Sequence, residues 1–172
     1  MSDPKVCTGI MPNPDVAGLG IRLGFYITCF FLTIITRSPS TRALTSSLLS
    51  NTRVYTSALL LTAIIQTAQG QLTLYHATLI LHMLMFFSYT VIPSPSEYYD
   101  KNSLRLLIYS AVLMISFSAW SLHIWITAST FGSQPECNHS TKYVLGWHSV
   151  LATARSTRLV WATSLGALPN IA

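Results

Sequence analysis

Apolar residues run along this chain in long stretches that polar turns and prolines separate. The stretches cover residues 19–36, 54–68, 72–92, 104–128 and 143–165. A helix that spans the hydrocarbon core of a bilayer needs about 20 predominantly apolar residues. The pattern therefore predicts an all-α protein, a polytopic transmembrane helix bundle of five spans that forms a single membrane domain over residues 1–172.

Helix signals mark several of these boundaries. Asn13–Asp15 offers an N-cap residue, a proline at the first helical position and an acid near the positive end of the helix dipole. Pro93 and Pro95 stop the third stretch, since proline removes a backbone donor. The fifth stretch is the weakest, because Arg155 and Arg158 interrupt it.

The second stretch, residues 54–68, is short for a span. An uncharged polar turn, Gln66–Gln71, joins it to the third stretch, which predicts an antiparallel helical hairpin. A re-entrant loop or a hairpin of unusually short helices is the alternative for this segment.

Composition supports a membrane protein. Hydrophobic residues make up 51% of the 172 residues and charged residues 9%, whereas a soluble domain is about one-quarter charged. These values exclude a disordered chain, a secreted disulfide scaffold and most soluble enzymes. The net charge of +5 comes from basic residues scattered singly, so we expect a lipid bilayer as partner and no nucleic acid.

Basic residues also predict an orientation. The connection between the first two stretches carries Arg37, Arg42 and Arg53 and no acid. Such loops stay in the cytosol. The N-terminus is then outside or lumenal, an odd number of spans puts the C-terminus in the cytosol, and the membrane is the plasma membrane or an endomembrane.

Two features of the outer segments agree with this orientation. Asn138 begins an N-x-S sequon, a candidate glycosylation site that requires a lumenal position, although short sequons also arise by chance. Cys7 and Cys137 both fall in outer segments and are candidates for a disulfide in an oxidising compartment. Two unpaired thiols are the alternative, because pairing cannot be deduced from sequence.

Polar residues at membrane depth are the default functional candidates. One from each predicted span falls in a similar outer layer: Arg22, Gln66, His76, His123 and His148. The layer predicts a vestibule whose imidazoles bind a metal or titrate near neutral pH. The alternative is that each group lies close enough to the headgroups to snorkel or to hydrogen-bond locally.

The sequence does not show which metal or cofactor, if any, these histidines bind. His76 and His82 are six residues apart and point in different directions, and no carboxylate lies beside them in a span. We therefore leave the metal unassigned, predict no cofactor and no catalytic residue, and keep a haem held by His82 as a minor alternative. Hydrolase, transferase and phosphate-loop motifs are absent from the sequence.

The start of the first span carries two further features. Asp15, Gly18 and Arg22 share one face of a continuous helix, where the carboxylate and the guanidinium would form an ion pair. Gly20 and Gly24 form a G-x-x-x-G motif with Gly18 nearby. Small residues allow close helix packing, here either within the chain or between subunits of a homo-oligomer.

Several segments resemble a group of uncharacterised multi-pass membrane proteins of filamentous fungi and mushrooms. The segments are residues 13–22 (an N-P-D-x-x-G-x-G-x-R opening), 72–77, and 135–138 before 143–144. The resemblance implies a helical membrane protein with an outer N-terminus and brings no established chemistry. Members of that group are longer, and this chain departs from them after about Leu151, so an altered or truncated end is expected.

These observations give one main hypothesis and two alternatives. The main hypothesis is a non-enzymatic integral membrane protein, an oligomeric channel or transport-related subunit. The first alternative is a membrane-bound metal- or haem-dependent redox protein that uses the intramembrane histidines. The second is a membrane scaffold that binds partner proteins.

Overall fold

A computed structural model describes residues 7–35, 38, 40–91, 103–145 and 148–167. The helices are α1 (Pro14–Ala17), α2 (Leu19–Ile34), α3 (Arg42–Ala68), α4 (Leu74–Val91), α5 (Ser103–Thr127) and α6 (Arg155–Ala167). A 3₁₀ helix (Pro135–Ser140) and two strands, β1 (Lys142–Leu145) and β2 (His148–Leu151), lie between α5 and α6. The chain is therefore mainly helical, as the hydrophobic pattern predicts.

Helices α2 to α5 alternate in direction, and one end of their bundle is covered. That end, called the capped end below, is formed by residues 7–13, the α3–α4 turn at 69–73 and the connection at 128–141. Backbone contacts join these segments: Ser133 N–H donates to Leu72 O at 3.3 Å. Since α2 and α4 begin at the capped end while α3 and α5 end there, consecutive helices run antiparallel.

Helix α3 is longer than the second predicted span, because it starts at Arg42 and includes Arg53. It is one continuous helix of 27 residues, so the re-entrant alternative is wrong. Its hydroxyl side chains donate to the carbonyl four residues earlier in the helix; those that do so are Thr45, Thr52, Thr56, Ser57 and Thr67. Such back-bonding satisfies these polar groups without an external partner, which suits a helix in an apolar environment.

Helix α4 supplies more buried hydrophobic residues than any other described element. Ala77, Ile80 and Met83 are fully buried, and Leu84 is nearly so. The outer faces of the flanking helices are instead apolar and exposed, with Phe30 of α2 61% exposed. Interior and outer faces are thus both apolar, whereas a water-soluble domain keeps a largely polar outer surface.

Helix α2 begins at Leu19, where the first apolar stretch was predicted to start, and its N-cap is Gly18 rather than Asn13. Gly18 has φ −55° and ψ 142°, which interrupts the helix and leaves α1 as a separate turn. The expected shared helix face of Asp15, Gly18 and Arg22 is therefore broken. The Asp15 side chain lies outside the described residues, so the expected ion pair with Arg22 is not addressed by the structure.

The fifth predicted span is wrong. Lys142–Leu145 and His148–Leu151 pair as antiparallel strands, with Tyr143 opposite Val150, and in the part of the chain described after them the helix is Arg155–Ala167. A helix of 13 residues extends about 20 Å at 1.5 Å per residue, short of the roughly 30 Å hydrocarbon core. The apolar run looked continuous because the alternating strand residues are themselves apolar.

Arg158 explains why α6 folds back onto α5. Its Nε donates to the carbonyl oxygen of Trp125 at 2.7 Å, and its Nη2 donates to that of Ile126. Both carbonyls belong to the last turn of α5, where no intrahelical donor remains. A guanidinium there also meets the negative end of the helix dipole. The residue that interrupts the predicted span thus caps another helix.

We expect Arg158→Gln to weaken the docking of α6 by about 1.5–3 kcal/mol, the range for hydrogen bonds to a charged group. The neutral amide cannot replace two guanidinium donors or the charge. Proteolysis of α6 in detergent, compared with the exposed neighbour variant Arg155→Gln, measures the effect. Equal cleavage rates for the two variants would contradict the capping role.

Candidate functional site

The capped end is covered by a strap, defined as residues 7–13. Cys7 and Cys137 are joined in the structure, with Sγ atoms 2.04 Å apart across a sequence separation of 130. Gln134 holds the middle of the strap from both sides. Its Nε2 donates to Gly9 O at 3.1 Å, and its Oε1 accepts from Met11 N–H at 3.1 Å.

Asn13 ends the strap and joins two residues of the predicted polar layer. Its Nδ2 donates to Gln66 Oε1 at 3.2 Å, and its backbone N–H donates to His76 Nε2 at 3.3 Å. Asn13 makes no side-chain cap for α1, so the sequence assigned it the wrong role. The strap therefore covers a polar pair, Gln66 and His76, contributed by the end of α3 and the start of α4.

The other side of the His76 ring contacts Thr73. Thr73 Oγ1 lies 2.6 Å from His76 Nδ1 and accepts from the His76 backbone N–H at 3.3 Å. The second contact is the N-cap arrangement, in which a threonine oxygen satisfies an amide of the first helical turn. His76 is 3% exposed. Hydrogen bonds at both ring nitrogens fix the orientation of its ring.

The remaining members of the predicted layer do not join this pair. His123 and His148 are exposed, and the His123 ring packs against Phe131 at 6.4 Å between centroids. Arg22 is partly buried, and its Nε has no hydrogen-bond partner among the described residues. Within the described part of the chain, no group of three or more His, Cys, Asp or Glu side chains is arranged to hold a metal.

An aromatic cluster that the sequence did not indicate attaches the hairpin and α6 to the bundle. Trp125 and Trp161 stack with centroids 5.8 Å apart and an interplanar angle of 4°, and Tyr143 meets both rings edge-on. His82, the haem candidate, contacts Tyr143 at 6.0 Å. Burial raises the pKa of Tyr143 to about 12, so the phenol stays neutral at physiological pH.

The glycine motif has an unexpected environment. Gly20 and Gly24 line an open cavity of about 500 Å³ between α2 and α3, together with Thr28, Asn51 and Tyr55. A Cβ added at Gly20 or Gly24 meets nothing within 4 Å, whereas one at Gly18 lies 2.5 Å from Pro14 O. Close packing of Gly20 and Gly24 within this chain is therefore not observed, and only Gly18 needs to be small.

Asn138, the candidate glycosylation site, is inside the fold. It is 1% exposed, and its Nδ2 donates to Phe131 O at 2.9 Å. That nitrogen is the atom to which a glycan attaches, so a glycan and this fold exclude each other.

We expect the folded, disulfide-bonded protein to carry no glycan at Asn138, because the acceptor nitrogen is buried and bonded. The control is His139→Asn, which places a second sequon at an exposed position with Thr141 as its hydroxyl residue. A mobility shift on deglycosylation is expected only for that variant. Removal of a glycan from Asn138 of the disulfide-bonded wild type would contradict the observed burial.

The described basic residues are divided between the two ends of the bundle. Arg22, Lys142, Arg155 and Arg158 belong to the half nearer the capped end, and Arg42, Arg53 and Arg105 belong to the other half. Arg37, one of the three residues on which the predicted orientation rests, lies outside the described residues, so the orientation stays a prediction. The expected separation of the two chain tails also depends on a fifth span that is not formed.

The sequence pointed to Gln66, His76 and the cysteine pair, but not to the residues that hold this site and the strap in place by hydrogen bonds. Asn13, Thr73 and Gln134 are ordinary polar residues in turns, and their partners in α3, α4 and the strap are distant in sequence. The role of Thr73 could have been predicted, because threonine is a favoured N-cap residue and Thr73 directly precedes an apolar helical run.

Comparison with known protein families, characterised proteins and solved structures finds no match for this chain. The resemblance of residues 13–22, 72–77 and 135–138 before 143–144 to fungal multi-pass proteins therefore stays a hypothesis.

Proposed function

We propose that the protein is an integral membrane protein with four spans, α2 to α5, that acts as a non-catalytic subunit. The observation that supports this most directly is the apolar outer surface of the bundle. Large exposed side chains include Leu23 (56%), Phe30 (61%), Leu61 (59%), Val112 (58%) and Ile115 (66%). In water such a surface would be unfavourable by about 25 cal/mol per Å², whereas lipid covers it without cost.

Helix lengths support spanning and leave an excess at one side. Arg42–Ala68 and Leu104–Thr127 are long and apolar enough to cross a membrane, and Leu19–Ile34 and Leu74–Phe86 are apolar but shorter. The 27 residues of α3 extend about 40 Å, roughly 10 Å more than a hydrocarbon core. We place that excess at the Arg42 end of α3, which carries Arg42 and Arg53 and lies opposite the capped end. The strap, the hairpin and α6 then contact headgroups and water on the other side.

The disulfide suggests which side the capped end occupies. Cys7 and Cys137 are bonded, and disulfides persist in oxidising compartments rather than in the cytosol. We therefore place the strap, the hairpin and α6 together on the outer or lumenal side. This differs from the sequence-based orientation in the position of α6.

Labelling in sealed vesicles tests the span number and the sidedness together. In a Cys29→Ser background, Ser40→Cys lies between α2 and α3, and Leu151→Cys lies in β2; both parent residues are exposed. An impermeant maleimide should reach only one of them from the outside, and the other only after permeabilisation. Equal labelling before permeabilisation, or release of the protein by alkaline carbonate, would contradict four spans.

The subunit role is supported by the cavity at Gly20 and Gly24. Glycines allow close approach of another transmembrane helix, and α3 does not fill this space. We propose that a second copy of the chain packs here and that any conduction path lies between subunits, since the interior of the bundle is filled by α4.

Gly24→Leu is the substitution that separates assembly from folding. The added side chain enters open space in the monomer, so the thermal stability of the monomer should change little while the oligomer is lost. Cross-linking in liposomes and an ion-flux assay give the readouts, and the lipid-exposed variant Leu23→Ala is the control. Absence of any oligomer in wild-type protein would overturn the subunit role.

A further inference from the structure

Hydrogen bonds fix the tautomer of His76. The Asn13 backbone N–H can only donate, so His76 Nε2 must accept it, at 3.3 Å. The ring proton of the neutral imidazole is then on Nδ1, which donates to Thr73 Oγ1 at 2.6 Å. Thr73 Oγ1 also accepts the His76 amide, so this tautomer is held from both sides.

Protonation of His76 would oppose the strap directly. A proton on Nε2 places two donors against each other, Nε2–H and the Asn13 N–H, and the imidazolium has no acceptor at that position. Asn13 N–H and His76 are then both left without the bond that the closed strap provides. A buried polar group that loses its partner is costly, so the bond between Asn13 and the ring breaks first.

The remaining contacts of the strap respond differently to acid. Gln134 holds Gly9 and Met11 with neutral groups, and the Cys7–Cys137 disulfide is covalent. Acid therefore releases the Asn13 end, where the strap joins α1, while the Cys7 end stays attached. Because the strap remains tethered, the release is reversible when the pH returns.

The elements packed against α4 carry other charged and titratable groups. On these elements and on α4 itself they are Asp15, Arg22, Tyr26, Cys29, Arg42, Arg53, Tyr55, Tyr75, His82, Tyr89, Arg105, Tyr109, His123, Glu136 and His139. Tyr75 contacts the His76 ring edge-on, with 5.4 Å between the ring centroids. The side chain of Asp15 lies outside the described residues, and Asp15→Asn is therefore included in the test.

We propose that the strap is an acid-released cover over Gln66 and His76, closed by the neutral imidazole and kept attached by the disulfide when it opens. Opening would expose the polar pair to the aqueous side of the capped end. Histidine suits this role because an imidazole exposed to water, as His76 would be once the strap opens, titrates between neutral and endosomal pH.

Hydrogen exchange followed by mass spectrometry tests the proposal on the full chain in detergent micelles, at pH 7.5 and 5.0 and corrected for intrinsic exchange. We expect protection of the Asn13 amide to fall about tenfold at the lower pH, from loss of the imidazole acceptor, while the Met11 amide, which Gln134 accepts, should change little. In His76→Gln, which keeps an acceptor without titrating, the protection should be the same at both pH values. The matched control His123→Gln and the Asp15→Asn variant should keep the wild-type transition.

A second measurement does not depend on any variant folding. The ¹⁵N shifts of labelled histidine should show one ring with its proton on Nδ1 at pH 7.5, and that signal should change with the same midpoint as the exchange. A pH-independent strap in the wild type, or a transition that persists in His76→Gln, would overturn the proposal. Both readouts work in micelles whatever the number of spans, so they fail independently of the proposed function.

Discussion

Gly132→Ala should destabilise the protein by at least about 3 kcal/mol, an effect on the scale of strained backbone combined with a clash. Gly132 has φ +76°, and a Cβ there would lie 2.0 Å from Leu72 O. The obstacle is backbone, which cannot rotate away as a side chain would. The substitution should therefore push residues 128–141 off the α3–α4 turn and detach the strap that Gln134 and Cys137 hold.

Gly70→Ala separates the two causes of this loss. Gly70 also has a positive φ of 66°, but a Cβ there meets nothing within 4 Å. We expect it to cost only about 1–2 kcal/mol from the left-handed backbone. Denaturant titration in mild detergent compares the two variants, and similar losses for both would show that the approach to Leu72 O does not matter.

Trp125→Ala should cost about 3–5 kcal/mol, the range for truncation of a large buried aromatic. Trp125 is 1% exposed, stacks on Trp161 of α6 and meets Tyr143 of β1 edge-on. Its loss removes the contact that both elements share. The hairpin and α6 should therefore become sensitive to protease while α2 to α4 remain folded.

Phe30→Ala is the matched control for that prediction. Phe30 is also a large aromatic, but it is 61% exposed on the outer face of α2, so its truncation should change stability by only about 0.5 kcal/mol. Limited proteolysis and thermal denaturation are the measurements. An intact hairpin in Trp125→Ala would contradict the anchoring role of the aromatic cluster.

Helices α2 to α5 were predictable because each contains a long, predominantly apolar run, which favours a helix over a strand. Their ends were less accessible. Helix α3 extends to Arg42 because its hydroxyl groups bond to its own carbonyls, which makes a polar segment behave as part of an apolar helix. Mean hydropathy along a window does not register such internal satisfaction.

The fifth span failed for a different physical reason. Tyr143, Val144 and Val150 are apolar and β-branched or aromatic, so their run fits a strand as well as a helix. Arg158 could be read as an interruption, but it could not be read as a cap for α5, because its acceptors are carbonyls 32 and 33 residues away.

The candidate site shows the same division. The distance of each residue from the outer end of its predicted span placed Gln66 and His76 in the same layer. In the structure Asn13 hydrogen-bonds to both of them. The same reasoning placed His123 and His148 in the layer, where they are exposed. Depth gives a position along a helix axis, but the direction of a side chain depends on rotation about that axis and on whether the segment is helical at all.

The sequence by itself determined a chain with too few charges for a water-facing surface, helices long enough to cross a bilayer, and two cysteines available for pairing. The tertiary structure alone decided that residues 142–167 fold back onto the bundle and that a strap covers His76. The physical reason is that the hydropathy and length of a segment determine which solvent that segment favours, and both can be read from the segment alone. The strap and the returning segment depend instead on single hydrogen bonds and ring contacts between residues far apart in the chain.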